Sequence, residues 1–218
     1  MSEELSLEEI NQKYPDVLRE IGNIGAGNAT TAIASMLSLR MNMSVPSVEF
    51  LPVEEMSTAL GSEDAVIAGI MLGVDGDIAG SMMFLLDLPS AKNLANHMMG
   101  MMGGPPIAEE DFLDEEKSMM ARSAIQEIGN IIAGAYLNAI ASMTNLTITP
   151  TPPFVAFDTA ASILSVPAII FGSEGDNALL IRTEIDDEQI DERIRGYYFL
   201  MPEGNSYHKI LSSLGLPV

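Results

Sequence analysis

The chain has 218 residues, 47% hydrophobic and 19% charged, which is an ordinary globular balance with enough length to bury a sizeable core. Ten basic residues against 31 acidic ones leave a formal charge of −21, which argues against nucleic acid and anionic membrane surfaces, since both are held through a basic footprint. The lack of cysteine excludes disulfides, thiolate nucleophiles and cysteine metal sites.

The N-terminus, Met1-Ser2-Glu3-Glu4, is acidic and lacks the basic-then-apolar order of a secretory leader. Strongly apolar stretches such as Ala65 to Val74 are strand-sized, far short of a membrane helix, so a soluble cytoplasmic protein is expected. Ser6-Leu7-Glu8-Glu9 has the form of a capping box that opens a helix. Pro15 should kink or restart that helix, because its ring removes an amide donor. After a long helical segment come a short strand over Val48–Pro52, an irregular or briefly helical stretch around Met56–Gly61, and a hairpin. The hairpin pairs Ala65–Val74 with Ile78–Leu86 about the turn Asp75-Gly76-Asp77. Pro89 leads into a closing helix over Ser90–Met99. Gly103-Gly104-Pro105-Pro106 then breaks the chain, and the acid-rich segment Ala108–Lys117 favours the start of another helix.

The second half follows the same plan. Residues 14–50 align without a gap onto residues 121–157, at an offset of 107. Glu20-Ile21-Gly22-Asn23-Ile24 returns as Glu127-Ile128-Gly129-Asn130-Ile131, and Ala32-Ile33-Ala34-Ser35-Met36 as Ala139-Ile140-Ala141-Ser142-Met143. A strand over Val155–Asp158 and an irregular or short helical stretch around Ala160–Ser165 follow. A hairpin of Ala178–Ile185 with Ile194–Met201 spans the charged loop Asp186–Arg193, and a helix over Ser206–Leu214 closes the half. The expected fold is mixed α/β: a single domain built of two repeats, about 1–103 and 108–218, with a largely antiparallel sheet and helices packed on it.

Chemistry concentrates on the long helices. At 100° per residue, Asp16, Glu20 and Asn23 fall within about 60° of one another, while Val17, Leu18 and Ile21 turn toward the sheet. One stripe therefore offers two carboxylates and a carboxamide to solvent; its copy, Ser123, Glu127 and Asn130, offers a hydroxyl, a carboxylate and a carboxamide. Such stripes are usually solvated helix faces. What sets these apart is Gly-Asn at mid-helix in both halves, a pairing that costs helix stability; small Gly22 and Gly129 are expected to let another backbone approach. Gly22-Asn-Ile-Gly25-Ala-Gly27 lacks the preceding strand and the lysine of a phosphate loop, so close helix packing is the better reading. His97 and His208, the only histidines, show no triad or metal-ligand spacing, so an intrinsic metal site is not expected. The 16 methionines read as core filler, with Met98-Met99 and Met101-Met102 the one cluster that hints at a partner surface.

The pattern Asp/Ser-x-x-x-Glu-x-x-Asn, followed by 22 residues and then Pro, resembles the signature of the CheC, CheX and FliY phosphatases. Asp16, Glu20, Asn23 and Pro46 fit it once; Ser123, Glu127, Asn130 and Pro153 fit it again. The duplicated layout is more similar to CheC than to single-signature CheX. FliY's added N-terminal CheY-binding peptide and C-terminal switch domain are not expected here. The resemblance implies two site helices side by side on one face of a roughly six-stranded sheet. It also implies an enzyme that hydrolyses the aspartyl phosphate of a CheY response regulator. Asn23 or Asn130 would orient the attacking water, and Glu20 or Glu127 would hold the regulator's lysine. Asp16 and Ser123 would be accessory, and Pro46 and Pro153 would shape the turn into the next strand. Magnesium would come with the regulator and no intrinsic cofactor would be needed. The receptor deamidase CheD is implied as a second partner. A non-catalytic scaffold that binds phosphorylated CheY or CheD is the alternative. Site one has Asp16 and Arg19 where site two has Ser123 and Gln126, and sequence leaves open which is stronger.

Overall fold

Proline decides where the first long helix begins. In the computed structural model, which describes residues 9, 12–39, 41–43, 47–52, 55–56, 60–171, 177–187, 193–203 and 205–217, helix α1 runs Pro15–Leu37 with its proline in the first turn. There the missing amide is no loss and the fixed φ is already helical, so Pro15 restarts the helix. The proposed capping box at Ser6–Glu9 falls largely outside the described residues, as does Pro46. The second long helix, called α3 below, spans Met119–Thr144. Both end alike: Ser38 (φ 54°) and the residue 107 positions on, Asn145 (φ 56°), turn into the left-handed region. A short polar side chain tolerates that conformation, and the turn stops the helix.

The other elements are β1 (Met41–Met43), β2 (Ser47–Pro52), β3 (Val66–Gly76), β4 (Gly80–Asp87), α2 (Leu88–Met101), a 3₁₀ turn at Glu109–Asp111, β5 (Ile148–Pro150), β6 (Phe154–Thr159), α4 (Ala160–Phe171), β7 (Asn177–Asp187), β8 (Arg193–Pro202) and α5 (Ser206–Ser213). The hairpins β3–β4 and β7–β8 meet along β4 and β8, with Phe84 opposite Tyr198. Each hairpin then takes its outer partner from the opposite half. β1 and β2 pair with successive stretches of β7, and β5 and β6 with successive stretches of β3. Eight strand segments thus fill six positions in a sheet whose pairs are all antiparallel. Strand limits differ by a residue or two from the sequence reading, as element ends usually do.

Alternation along β4 assigns the two faces. Met82, Phe84 and Leu86 join the large core under α1, α2, α3 and α5, while Met83 and Leu85 join a smaller core under α4. That two-sided burial explains the unbroken apolar run in this strand. The short helical stretch expected at Ala160–Ser165 is longer than anticipated and continues through Pro167 to Phe171, adding a partial third layer. At the tip of the first hairpin Gly76 (φ 120°) passes so close to Thr147 that a Cβ would lie 2.2 Å from its carbonyl oxygen. The Asp77 amide donates to that carbonyl at 2.8 Å, and Asp77 Oδ2 accepts from the Thr147 amide at 2.7 Å.

α1 and α3 lie against each other, and Gly25 sits in their contact. A Cβ at Gly25 would stand 2.4–2.7 Å from the Tyr136 ring. That ring stacks on Tyr198 (centroids 5.8 Å), which in turn packs on Phe84 (4.6 Å). Both phenols are fully buried without a hydrogen-bond partner among the described residues, and burial pushes their pKa above the usual tyrosine range. The ring has nowhere to retreat. Gly25→Ala should therefore lower stability by about 1–3 kcal/mol despite its better helix propensity. Gly134→Ala, facing open space within α3, should raise it by about 0.5–1 kcal/mol. Urea unfolding of the two variants beside the parent chain measures both, and equal effects would refute the packing account.

Candidate functional site

The α3 stripe is aimed by what lies beneath it. Ala124, Ile125, Ile128 and Gly129 are buried toward the sheet, so Ser123, Glu127 and Asn130 face outward, and all three are exposed. Gly129 does not open the helix to a partner, as the sequence suggested. A Cβ there would lie 2.5 Å from Ile70 Cγ2 on β3, so this glycine lets α3 settle onto its own sheet. Gly22 is buried likewise in α1. Because successive helix positions diverge by about 100°, an inward glycine sends the next side chain outward.

Around the second stripe lies a pocket of about 320 Å³, bounded by Ser123, Gln126, Glu127 and Asn130 on one side and by Pro150, Thr151, Pro152 and Pro153 on the other. The proline wall is fixed twice. Thr151 exchanges two bonds with Gly73 on β3, its amide donating to Gly73 O (2.9 Å) and its Oγ1 accepting from the Gly73 amide (2.8 Å). From the helix, Gln126 Nε2 donates to Pro153 O at 2.9 Å. Pro153 itself is buried and serves as wall. Ser123 Oγ donates back to Met119 O at 3.1 Å, so its proton serves the helix. Among the described residues, Glu127 and Asn130 make no side-chain hydrogen bond or ion pair.

The first stripe differs. Asp16 is exposed and paired with Arg19 at 3.3 Å, an exposed i,i+3 pair worth little to stability. Glu20 is exposed, but Asn23 is half-buried, and its amide oxygen is shielded from solvent without a hydrogen-bond partner among the described residues. Repeated sequence has not given repeated exposure. The sequence marks Gln126 only as the residue that stands where the first repeat has Arg19, and gives Thr151 no part. The Arg19/Gln126 departure between repeats was the available signal for the first, and the Thr-Pro-Thr-Pro-Pro run for the second. His97 and His208 are both half-buried on closing helices. Among the described residues, no group of three or more His, Asp or Glu is placed to hold a metal, and no helix is long and apolar enough to cross a membrane.

Chemically, the second stripe offers an unpaired carboxylate that can receive a cation and an amide that can hold a water by donating and accepting at once. Both groups project from the surface, so the other reacting parts can come from a second molecule.

Comparisons with known proteins point the same way. A family model described as the CheC-like family matches residues 15–49 and 120–156, the two repeated segments. The CheY-P phosphatase CheC of Bacillus subtilis (strain 168) is 32% identical over 206 residues, covering 94% of this chain and 96% of that protein. FliY of Thermotoga maritima superposes with a TM-score of 0.71 at 20% identity, over 97% of this chain and 98% of that one. A chain of the CheX–CheY–BeF3–Mg complex of Borrelia burgdorferi superposes with a TM-score of 0.52 at 21% identity, over 85% and 97%. At such identities the two structures speak to the fold alone, and they share this helix-on-antiparallel-sheet architecture.

The unequal burial of the two asparagines has a measurable consequence. Asn130→Ala should raise stability by no more than about 0.5 kcal/mol, from helix propensity alone. Asn23→Ala also removes a buried unpaired carbonyl and should gain about 1–2 kcal/mol. Chemical denaturation of the two single variants checks this, and a destabilised Asn23→Ala would show that its amide is satisfied in the folded protein.

Proposed function

This chain belongs to the CheC-like family, and from that membership and the geometry of its second stripe we propose that it hydrolyses the aspartyl phosphate of a CheY-like response regulator. One observation carries the reading: Glu127 and Asn130 stand exposed, unpaired among the described residues, beside a pocket whose far wall is pinned to both helix and sheet. An aspartyl phosphate is an activated acyl phosphate, so hydrolysis needs an aligned water and stabilised charge more than a strong base. Asn130 enters the regulator's phosphorylated cleft, and its carboxamide holds a water in line with the phosphorus. The water oxygen bonds to phosphorus, the bond to the aspartyl oxygen breaks, and the carboxylate and inorganic phosphate are the products. Glu127 accepts from the regulator's lysine and fixes the complex by a charge-assisted contact. Magnesium belongs to the regulator's side of this site. The CheX–CheY complex of Borrelia burgdorferi, which contains magnesium and beryllofluoride, supports that division. Glu20 and Asn23 form the equivalent pair of the first site, with Asp16 and Ser123 accessory. CheD is a further proposed partner, on family resemblance alone.

The binding-only alternative has one specific observation in its favour, the shielded amide of Asn23, and it concerns the first site alone.

In a phosphate-release assay with a phosphorylated CheY-type regulator, Asn23→Ala combined with Asn130→Ala should lower turnover at least about a hundredfold while binding persists. Glu127→Gln should act mainly through KM. Normal turnover by the double variant would refute the assignment.

A further inference from the structure

We propose that the regulator engaged at the second site also docks on a methionine shelf, formed by Met101, Met102, Met119 and Met120, that extends the site along α3. The inference rests on the reading of that site given above. The four residues are 57%, 76%, 65% and 50% exposed, whereas the other methionines among the described residues are buried or half-buried. Large apolar side chains gathered at the surface mark an interaction site more often than chance exposure does.

The shelf and the site are one surface. Met119 lies one turn before Ser123, and its carbonyl accepts the Ser123 hydroxyl at 3.1 Å. On the helix wheel Met119 falls about 20° from Asn130, and Met120 about 20° from Glu127, so both prolong the stripe. The turn that ends α2 folds over this first helical turn. The Gly104 amide donates to Met99 O at 2.8 Å, and Met120 Cε lies so close to Gly104 that a Cβ there would be 3.0 Å away. Met101 and Met102 belong to that same turn, which Met120 approaches at Gly104.

The repeat supplies a control. The counterparts of Met119 and Met120 at the first site are Gln12 and Lys13. Lys13 Nζ donates to Pro217 O at 3.3 Å and lies 5.1 Å from the centre of the Tyr14 ring, so that flank is polar and tied to the C-terminal segment. Only the second site combines an exposed asparagine with an apolar margin. Methionine is unbranched and polarizable, so it can mould to a partner without a fixed complementary shape. In a chain of charge −21, apolar contact also gives affinity that salt does not screen, unlike the Glu127–lysine contact. The occupant is therefore an apolar part of the same regulator whose phosphorylated cleft receives Asn130.

The test replaces Met102 and Met119 together by serine. Steady-state phosphate release is measured with a phosphorylated CheY-type regulator, and the Kd with that regulator activated by beryllofluoride, each at low and high salt. KM and Kd should rise at least about tenfold at both salt concentrations, with kcat within about twofold. Val166→Ser with Ile169→Ser, exposed apolar residues on α4 across the sheet, should change neither. Unchanged KM and Kd in the methionine variant would overturn the proposal. So would a parent chain that self-associates through the shelf, seen as a dimer lost in the variant on sedimentation. If the parent chain releases no phosphate, the catalytic reading fails and the shelf is decided on Kd alone. Weakened binding then supports it, and unchanged or absent binding overturns it.

Discussion

The Cγ2 methyl of Ile70 stands 2.5 Å from where a Cβ on Gly129 would be, and this contact sets how low α3 rides on β3. Any larger residue at that position would lift the helix or displace the strand. Seated at this height, α3 brings Gln126 within reach of Pro153 and lets Thr151 lie against Gly73, so the proline wall and the polar stripe face each other across a defined gap. The outward reach of Asn130 follows from the inward fit of Gly129. A glycine that costs the helix on the order of 1 kcal/mol is thereby offset by packing, and the packing does the aiming.

Two helices made from one duplicated segment and laid side by side face a symmetry problem. A pseudo-twofold contact would set each residue against the counterpart of its partner, as in an isologous interface. The contact of Gly25 with Tyr136 would then be mirrored by Ala29 with Ile132, all four of them buried. The ring of Tyr136 needs a partner with no side chain, and only the first helix supplies one. With that pair unlike its mirror image the helices are not interchangeable, and the two stripes differ as well. Arg19 turns to Asp16, where its counterpart Gln126 turns to the proline wall. The amide oxygen of Asn23 ends up shielded, where Asn130 is open.

Much of this architecture was legible in the chain. The 107-residue repeat announced two equivalent long helices; Asp75-Gly76-Asp77 placed the first hairpin, and the second follows as its counterpart across a longer charged loop. The restart at Pro15 follows from proline chemistry alone. Local reasoning failed where the deciding contact is distant in sequence. Gly22 and Gly129 were read as openings for a partner because nothing in a helical segment reveals that Ile70 will lie beneath it. Helix α4 was cut short because a segment apolar on nearly every side has no periodic face to count, and its extent depends on the core of Met83, Leu85 and Phe199 that it covers. The swap of edge strands between halves was invisible, since either half could have paired with itself. The residues of the proposed site were found by spacing, yet their unequal exposure is tertiary and no motif encodes it. Of the cluster Met98-Met99 and Met101-Met102 that the sequence singles out, Met99 is core, Met98 packs against it, and Met101 and Met102 are exposed; Met120 comes near their turn only once α2 and α3 are packed.

The proposed second site would divide its work between rigid and adaptable parts. The proline wall is held from both sides, and the stripe stands on a helix seated on the sheet, so little rearrangement remains when a partner arrives. Groups that are already oriented avoid most of the ordering cost of association and can stabilise charge as it develops. A carboxamide suits such a position because it orients water in one fixed protonation state. Affinity has different needs. The stripe itself offers one carboxylate and one amide, too little to hold a partner against the loss of its free motion. An apolar margin of flexible side chains can add contact area without disturbing the geometry that the wall and helix fix. Positioning and holding can then be varied independently, which a single rigid surface serving both would not allow.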